Sequence, residues 1–564
     1  MGLGVAALAV SGCTPVGSGQ DASAAKAGQL TVLSLGPVAT WDPQRMSSAQ
    51  DIAFAGRVFV RTLTAFPAGG DVAHQRAVEG DLATTAGSVD GTLKTWSFTL
   101  RNGVSWQDGS PVTCDDVRYG ISRSFAEPFA SEGLNYPLAY LDIPRKADGT
   151  STYAGPDAKD PQGQAAFDKA VSCNGSTVTF RLSVPMADFN QVVALPVFAP
   201  FKKAMDKGKD GTFAVFSNGP YQLTSPWDPS SGGTFERNPK WDKKSDPIRQ
   251  GNPTSVDYVE GTESQTAVQE VINDSPAHRQ SVTLDSAPPA MQQHILSDSS
   301  LAARSVNPSA QFVDYLAPNV IKGVMRNAKV RQAFALATNR EGYVTALGGD
   351  SAASSTYTLV GPGLPGHTDA DPVGSGPSGD AARARAVLQA SGLTLPVKVR
   401  VAYRSTPTAD KALAALVNGW QDAGFAIELQ PISKDYFATV SAPGRTDQTD
   451  VFWANWAPAW PSASTVLPAL FDSRINVTKN GNGRDFGGFT DEAVNQEITR
   501  IGGLRDLTGQ AQAWAALDAS LAKRGVFIAL AQRKALYVAG TAVTGLGANE
   551  ALGGFVDLAA VGVK

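Results

Sequence analysis

The sequence predicts a mixed α/β protein of more than one domain, and three observations predict it. The chain has 564 residues, too many for one hydrophobic core, so two or three domains are expected. Its composition, 42% hydrophobic and 18% charged, is that of an ordinary globular chain. Stretches of period two, such as 96–100 and 177–182, are interleaved with stretches of helical spacing, such as 409–423 and 507–523; strands and helices therefore share the chain. A formal net charge of −4 argues against a nucleic-acid partner, which needs a basic stripe. Beyond the N-terminus no apolar run is long enough to span a bilayer.

The most informative stretch is 95–120, TWSFTLRNGVSWQDGSPVTCDDVRYG. Residues 96–100 alternate apolar and polar and read as a half-buried strand; 104–106 read as a second short strand. Gln107-Asp108-Gly109-Ser110-Pro111 is a turn: Asp bonds its own backbone, Gly supplies positive φ and Pro fixes φ afterwards. Thr113 stands at a helix N-cap, with Asp115 and Asp116 in the first turn where the helix dipole favours negative charge. The order of residues here closely resembles F-x-L-R-x-G-V-x-W-x-D-G-x-P-V-T-A-x-D-V, the pattern that marks family 5 extracytoplasmic solute-binding proteins, the oligopeptide-, dipeptide- and nickel-type receptors of ABC importers. Cys114 replaces the usual Ala.

The resemblance implies a two-lobed, periplasmic-binding-protein-like fold of type II, in the large peptide-receptor class, with an additional small domain. It implies a signal and tether over 1–28 and a discontinuous lobe I from 29–65, 203–310 and 531–564. The additional domain II would occupy 66–202 and lobe III 311–530. The N-terminus reads as that of an exported lipoprotein, and the abundance of Ala and Gly with sparse Lys over the chain points to the actinobacterial type. A short apolar stretch leads to Val10-Ser11-Gly12-Cys13, which resembles a lipobox with Cys13 as the lipidated residue; a plain secretory signal is the alternative. Residues 14–28 are rich in Ser, Gly and Ala and read as a flexible tether.

Residues 29–35 read as a buried strand. GPVATWDPQRM over 36–46 resembles the family's Asp-Pro loop, with Trp41 where Leu is usual. In relatives the next segment runs beside the ligand, so Arg45, Met46, Ser47 and Ser48 are candidate contacts or an ordinary surface loop. Residues 53–66 read as a helix running into a strand, and 119–129 as a continuation of the helix begun at Thr113. LNYPLAYLDI over 134–143 corresponds to an aromatic segment at the site in relatives, which makes Tyr136 and Tyr140 candidates, with core packing the alternative. Three cysteines, Cys13, Cys114 and Cys173, are accounted for if one is modified and two pair. In the family the strand at 177–182 pairs near that at 96–100, which implies a Cys114–Cys173 disulfide, as an exported compartment permits.

Further along, SNGPY at 217–221 and TFERNPKW at 234–241 resemble family turns and read as structural. Residues 256–285 read as strand, helix, strand. NAKVRQAFALATNREGYV over 327–344 resembles a family helix, with Arg331 and Arg340 tying it into its domain. Asp369, Asp371, Gly374 and Asp380 fall at partial EF-hand spacing, but Val373 occupies a ligand position and the last ligand is not Glu, so no metal site is assigned. Residues 381–392, 397–403, 409–423 and 425–431 read as helix, strand, helix, strand. Two antiparallel helices follow at 490–504 and 507–523, and a strand at 525–537 returns toward the first domain.

DVFWANWAPAWPSAS over 450–464 resembles the family's ligand-facing segment, W-x-x-D-(W/Y)-P-(D/N). The strand there bonds the peptide backbone in relatives, and the Asp pairs with the peptide's α-ammonium, because a buried ammonium needs a charge-assisted partner. Ala459 stands where that Asp belongs. Either Asp450, Asp435 or another acid substitutes, or the ligand presents no free amine: a blocked, cyclic or modified peptide, or a non-peptide. Trp453, Asn455, Trp456, Ala459 and Trp460 are candidate contacts; the Trp residues either stack on ligand or pack as core and hinge.

The resemblance thus implies a receptor, expected as a monomer on the outer face of the cytoplasmic membrane. It would be held there by a lipid anchor and deliver a peptide or peptide-like ligand to ABC permease subunits, with no catalytic residues and no cofactor. The same fold binding a sugar-like compound, haem, a siderophore or a nickel complex is the alternative. A secreted hydrolase is the remote one: His74, His278, His294 and His367 are scattered without metal spacing, and no G-x-S-x-G, H-E-x-x-H or P-loop is present.

Overall fold

A computed structural model describes residues 28–147, 149–442, 444, 447–476 and 483–564. Cys13 and the lipobox lie outside the described residues. Three sheets, each with its own apolar core, organise the chain.

The first sheet has five strands in the order Ser281–Thr283, Gln29–Leu33, Ser255–Val259, Gly232–Arg237 and Tyr221–Leu223. The first three are parallel and the rest antiparallel. The strand, helix and strand at Ser255–Val259, Ser264–Asn273 and Ser281–Thr283 form the expected unit. Trp41, fully buried, sits at the centre of this core. Phe54, Phe59, Trp227, Phe235 and Tyr258 surround it at centroid distances of 5.1–6.1 Å, most of them edge-on, the arrangement the ring quadrupole favours.

A second, four-stranded antiparallel sheet runs Ser88–Val89, Thr95–Thr99, Thr177–Arg181, Val171–Asn174. The marker stretch supplies the inner Thr95–Thr99 strand of this sheet. Thr113 caps the Cys114–Arg123 helix in a reciprocal capping box with Asp116, and Cys114 is bonded to Cys173. Two expectations change here. Residues 104–106 are not a strand: only an isolated bridge, Ser105 to Pro111, forms, because Trp106 N donates to Ser110 O and Gln107 N to Ser217 O in place of a ladder. The helix stops at Arg123 and a separate turn of helix follows at Phe129–Glu132, since Pro128 cannot extend the first. Arg123 is buried and bonded to Asp42, Gln44 and Asp206, which ties this unit to the first sheet's Asp-Pro loop.

The third sheet has six strands: Ala353–Ser355, Ile528–Lys534, Ser309–Pro318, Val451–Trp456, Val397–Arg404 and Phe425–Ile432. The helix expected over 327–344 is two, Ala328–Leu336 and Arg340–Leu347. Asn339 accepts from Gly342 N and restarts the helix as an N-cap. Arg340 is buried and donates to the carbonyls of Thr356 and Ala529 and to Ser375 Oγ; Arg331 donates to Met325, Arg326 and Arg524 carbonyls. Both arginines fasten helices, as expected. Two neighbouring strands connect this sheet to the first, Ser309–Pro318 outward and Ile528–Lys534 back, with Ser305–Val306 pairing Tyr537–Val538 beside them. Ala531, Gln532 and Lys534 of the returning strand pair with the Ser309–Pro318 strand. Among the described residues no helix is long and apolar enough to cross a membrane.

Candidate functional site

The Val451–Trp456 strand sits inside the six-stranded sheet, but only its first two residues are enclosed. Val451 and Phe452 pair on both sides, with the Ser309–Pro318 strand and with Val401 and Ala402. From Trp453 onward only the Ser309–Pro318 partner continues. The other edge opens onto a cavity of about 860 Å³. Tyr436 Oη closes the edge at its start, donating to Trp453 O at 2.5 Å and Ala402 O at 3.2 Å.

The cavity wall is aromatic. Tyr136, Tyr140, Phe312, Tyr315, Phe437, Phe486, Trp456 and Trp460 line it, together with Asn455, Ser464 and Arg484. A second chamber of about 380 Å³ adjoins it and is mainly apolar, with Ile52, Phe66, Leu134, Leu195 and Leu552 on its walls and Ser47 and Gln311 among its polar groups. The chambers share Tyr136, Phe312, Ala457 and Ala459. Ala459 therefore stands at their junction; its N donates to Thr465 Oγ1 at 3.2 Å.

Trp460 joins two of the units. It follows the six-stranded sheet's Val451–Trp456 strand, yet it is buried in the core of the four-stranded sheet's unit. Its Nε1 donates to Asp188 Oδ2 at 2.9 Å, and Ser464 Oγ donates to the same oxygen at 2.8 Å. Tyr136 and Tyr140 stack in parallel with centroids 6.0 Å apart, and both meet Trp460 edge-on. Burial raises both phenols above the usual tyrosine value, opposed at Tyr136 by Arg484 and reinforced at Tyr140 by Tyr136 and Asp188. Both are therefore neutral hydroxyls at physiological pH.

Charge in the larger chamber is one-sided. Among the described residues Arg484 is the charged one on its wall. Its guanidinium lies 5.0 Å from the Trp456 ring centroid and has no side-chain hydrogen bond or carboxylate partner among the described residues. The adjacent Asp485 does not neutralise it. That carboxylate is turned inward, accepts from Gly488 N and Phe489 N, and is pushed by burial to about 7. In the smaller chamber Arg57 is paired with Asp557, and Arg249 with Asp81 and Asp246. Neither acid considered as a substitute at position 459 lines the cavity: Asp450 is bonded to Arg400, and Asp435 is exposed at the start of the Tyr436–Ser441 helix.

Of the residues singled out from the sequence, Ser47, Tyr136, Tyr140, Asn455, Trp456, Ala459 and Trp460 are brought to the two chambers. Four are placed elsewhere. Arg45 pairs with Glu132 at 2.5 Å and donates to Lys209 O and Thr212 Oγ1. Met46 is in the core of the first sheet. Ser48 caps the Ala49–Val58 helix through Asp51 N. Trp453 is buried in the core of the six-stranded sheet's unit and donates to Tyr343 Oη at 3.1 Å. The sequence reading missed Phe312, Phe437, Phe486 and Arg484. The last two lie in RDFGGF, 484–489, where charged and aromatic residues among glycines were a signal. Phe312 and Phe437 carry none, since distant segments bring them in. Asp371 accepts from Val373 N, Gly374 N, Gly376 N and Ser375 Oγ, so its carboxylate shapes its own loop.

The family model described as "Bacterial extracellular solute-binding proteins, family 5 Middle" matches residues 77–477. Among curated proteins, the Bacillus subtilis oligopeptide-binding protein OppA is 30% identical over 172 residues, 29% of this chain and 29% of that protein. The Escherichia coli periplasmic murein peptide-binding protein MppA is 24% identical over 413 residues, 69% of each. The chain thus matches under one third of the length of that OppA and about two thirds of MppA. Among solved structures, clavulanic acid biosynthesis oligopeptide binding protein 2 superposes with a TM-score of 0.83 at 26% identity, covering 95% of both chains. Unliganded, open MppA gives 0.73 at 19% identity, over 96% of this chain and 98% of that one.

Proposed function

Since the chain belongs to the family 5 bacterial extracellular solute-binding proteins, non-enzymatic transport receptors, we propose that it captures a peptide or peptide-like ligand and delivers it to an ABC permease. The aromatic chamber and the smaller apolar one, meeting at Ala459 against the half-open Val451–Trp456 strand, carry this reading. A ligand backbone laid along that edge gains main-chain hydrogen bonds whatever its side chains, while the aromatic wall buries them. In this reading 29–65, 203–310 and 531–564 act as one lobe, 66–202 as an additional domain and 311–530 as the facing lobe. The receptor works as a monomer, tethered by lipid on Cys13 to the outer face of the cytoplasmic membrane. Relatives named for oligopeptides and murein peptides support the ligand class.

A second reading, a non-peptide ligand in the same chambers, is favoured by one observation, the Ala459 position without an acid. Mass spectrometry separates the two. The chain without its first 27 residues is purified gently and denatured, and the small molecules released are identified. Peptides, free or modified, are the expected result. A single non-peptide compound overturns the peptide reading in favour of the second.

A further inference from the structure

The charge of the larger chamber carries an inference that rests on the peptide reading and narrows it. Its wall offers a cation, Arg484, and no carboxylate among the described residues. Asp450 is held by Arg400, and Asp188 Oδ2 accepts from Trp460 and Ser464. A free α-ammonium entering this chamber would lose its water shell with no anion to meet it. An anion would find the reverse. The Arg484 guanidinium lies over the Trp456 face, which holds it in place electrostatically without consuming its in-plane N–H donors. Those donors match the two oxygens of a carboxylate.

We infer that Arg484 is the ligand anchor of this receptor, and that it selects an amine-blocked peptide carrying a free carboxylate. The shared junction at Ala459 fits the blocking group. With no side chain beyond Cβ there, the blocked end meets the smaller, mainly apolar chamber lined by Ile52, Phe66 and Leu552, where an acyl group buries and an ammonium does not.

Native mass spectrometry and calorimetry test this with a pooled tetrapeptide library in four forms: free or acetylated at the amine, crossed with free or amidated at the carboxylate. The wild-type chain without its first 27 residues is compared with Arg484→Met, which keeps length and apolar contact with Trp456, and with Arg484→Lys, which keeps charge. Folding of each is checked by its thermal transition. Acetylated peptides with a free carboxylate should bind best, and amidation or Arg484→Met should weaken them by roughly tenfold or more, the worth of one charge-assisted pair. Arg484→Lys should recover part of that loss. Peptide binding that is indifferent to both termini and to residue 484, or that requires the free amine, overturns the inference while leaving the peptide reading intact. If no library member binds but benzoate or another non-peptide carboxylate binds in an Arg484-dependent way, the anchor stands and the peptide reading falls. If neither binds, both fall.

Discussion

Asp518 lies on the Leu507–Lys523 helix, almost fully buried, and accepts from Leu359 N at 3.3 Å and Val360 N at 2.8 Å. Burial outweighs those two hydrogen bonds and pushes its carboxyl to about 7. A value raised above the unfolded one of roughly 3.9 means that the folded state holds the extra proton between about pH 4 and 7. Stability therefore falls as pH rises through that window and levels off above it. Asp485, also at about 7, acts in the same direction. Asp246, depressed by Arg249 and Arg61, acts oppositely, but its stability is lost only as pH falls below about 4, so the two effects separate. In urea titrations Asp518→Asn should flatten the pH 4–7 decline by up to ~1.4 kcal/mol per pH unit. Parallel profiles for variant and wild type would show that the carboxyl ionises normally.

Among the elements, the Cys114–Arg123 helix shows how a short run of sequence secures its own placement. The capping box fixes its start, and the disulfide at its first residue fastens it to the Val171–Asn174 edge strand. The bond closes a loop with a sequence separation of 59. In the chain-entropy model that constraint on the unfolded state is worth ~4 kcal/mol. Replacing both cysteines by Ala should lower unfolding free energy by about that amount without moving the Val451–Trp456 strand, which belongs to another sheet. A loss under about 1 kcal/mol would mean that the entropic account does not hold for this loop. The half-open Val451–Trp456 strand illustrates the converse. Its hydrophobic content marks a strand, but its free edge exists only because the Val397–Arg404 strand diverges after Ala402.

At the scale of the whole molecule, the chambers are completed by units joined through few chain connections, and Asp188 bonds across the gap. One carboxylate oxygen holds both Trp460 and Ser464, and Trp460 is inserted into the opposite unit's core. If the units close by hinge motion over a ligand, this contact is expected to hold them together. Asp188→Ala should leave the secondary structure intact, increase the radius of gyration of the ligand-free protein in solution scattering, and weaken ligand binding about tenfold, the cost of losing hydrogen bonds to a buried charge. Unchanged scattering together with unchanged affinity would rule the contact out as a latch.

Much of this was already present in the chain as a string. Alternation at 96–100 and 177–182, the Thr113 cap and helical spacing at 409–423 each depend on neighbours within a few residues, and such local rules act before any tertiary contact forms. The marker stretch and its companions carried the resemblance to the family, and only through the family's strand pairing did they imply the Cys114–Cys173 bond, which joins segments 59 apart in sequence. The site divided along a different line. Tyr136, Trp456, Ala459 and Trp460 were legible because they belong to recognisable segments, whereas Met46 and Trp453 share those segments and turn into the core. Which face a residue presents is settled by the packing of the whole sheet. Arg484 was legible only as a loop residue; its standing as a charge on an aromatic wall with no carboxylate partner among the described residues depends on Asp485 turning inward and on Asp450 being held by Arg400. Pairing of charges is a property of distances between remote segments, and those distances exist only in the folded molecule.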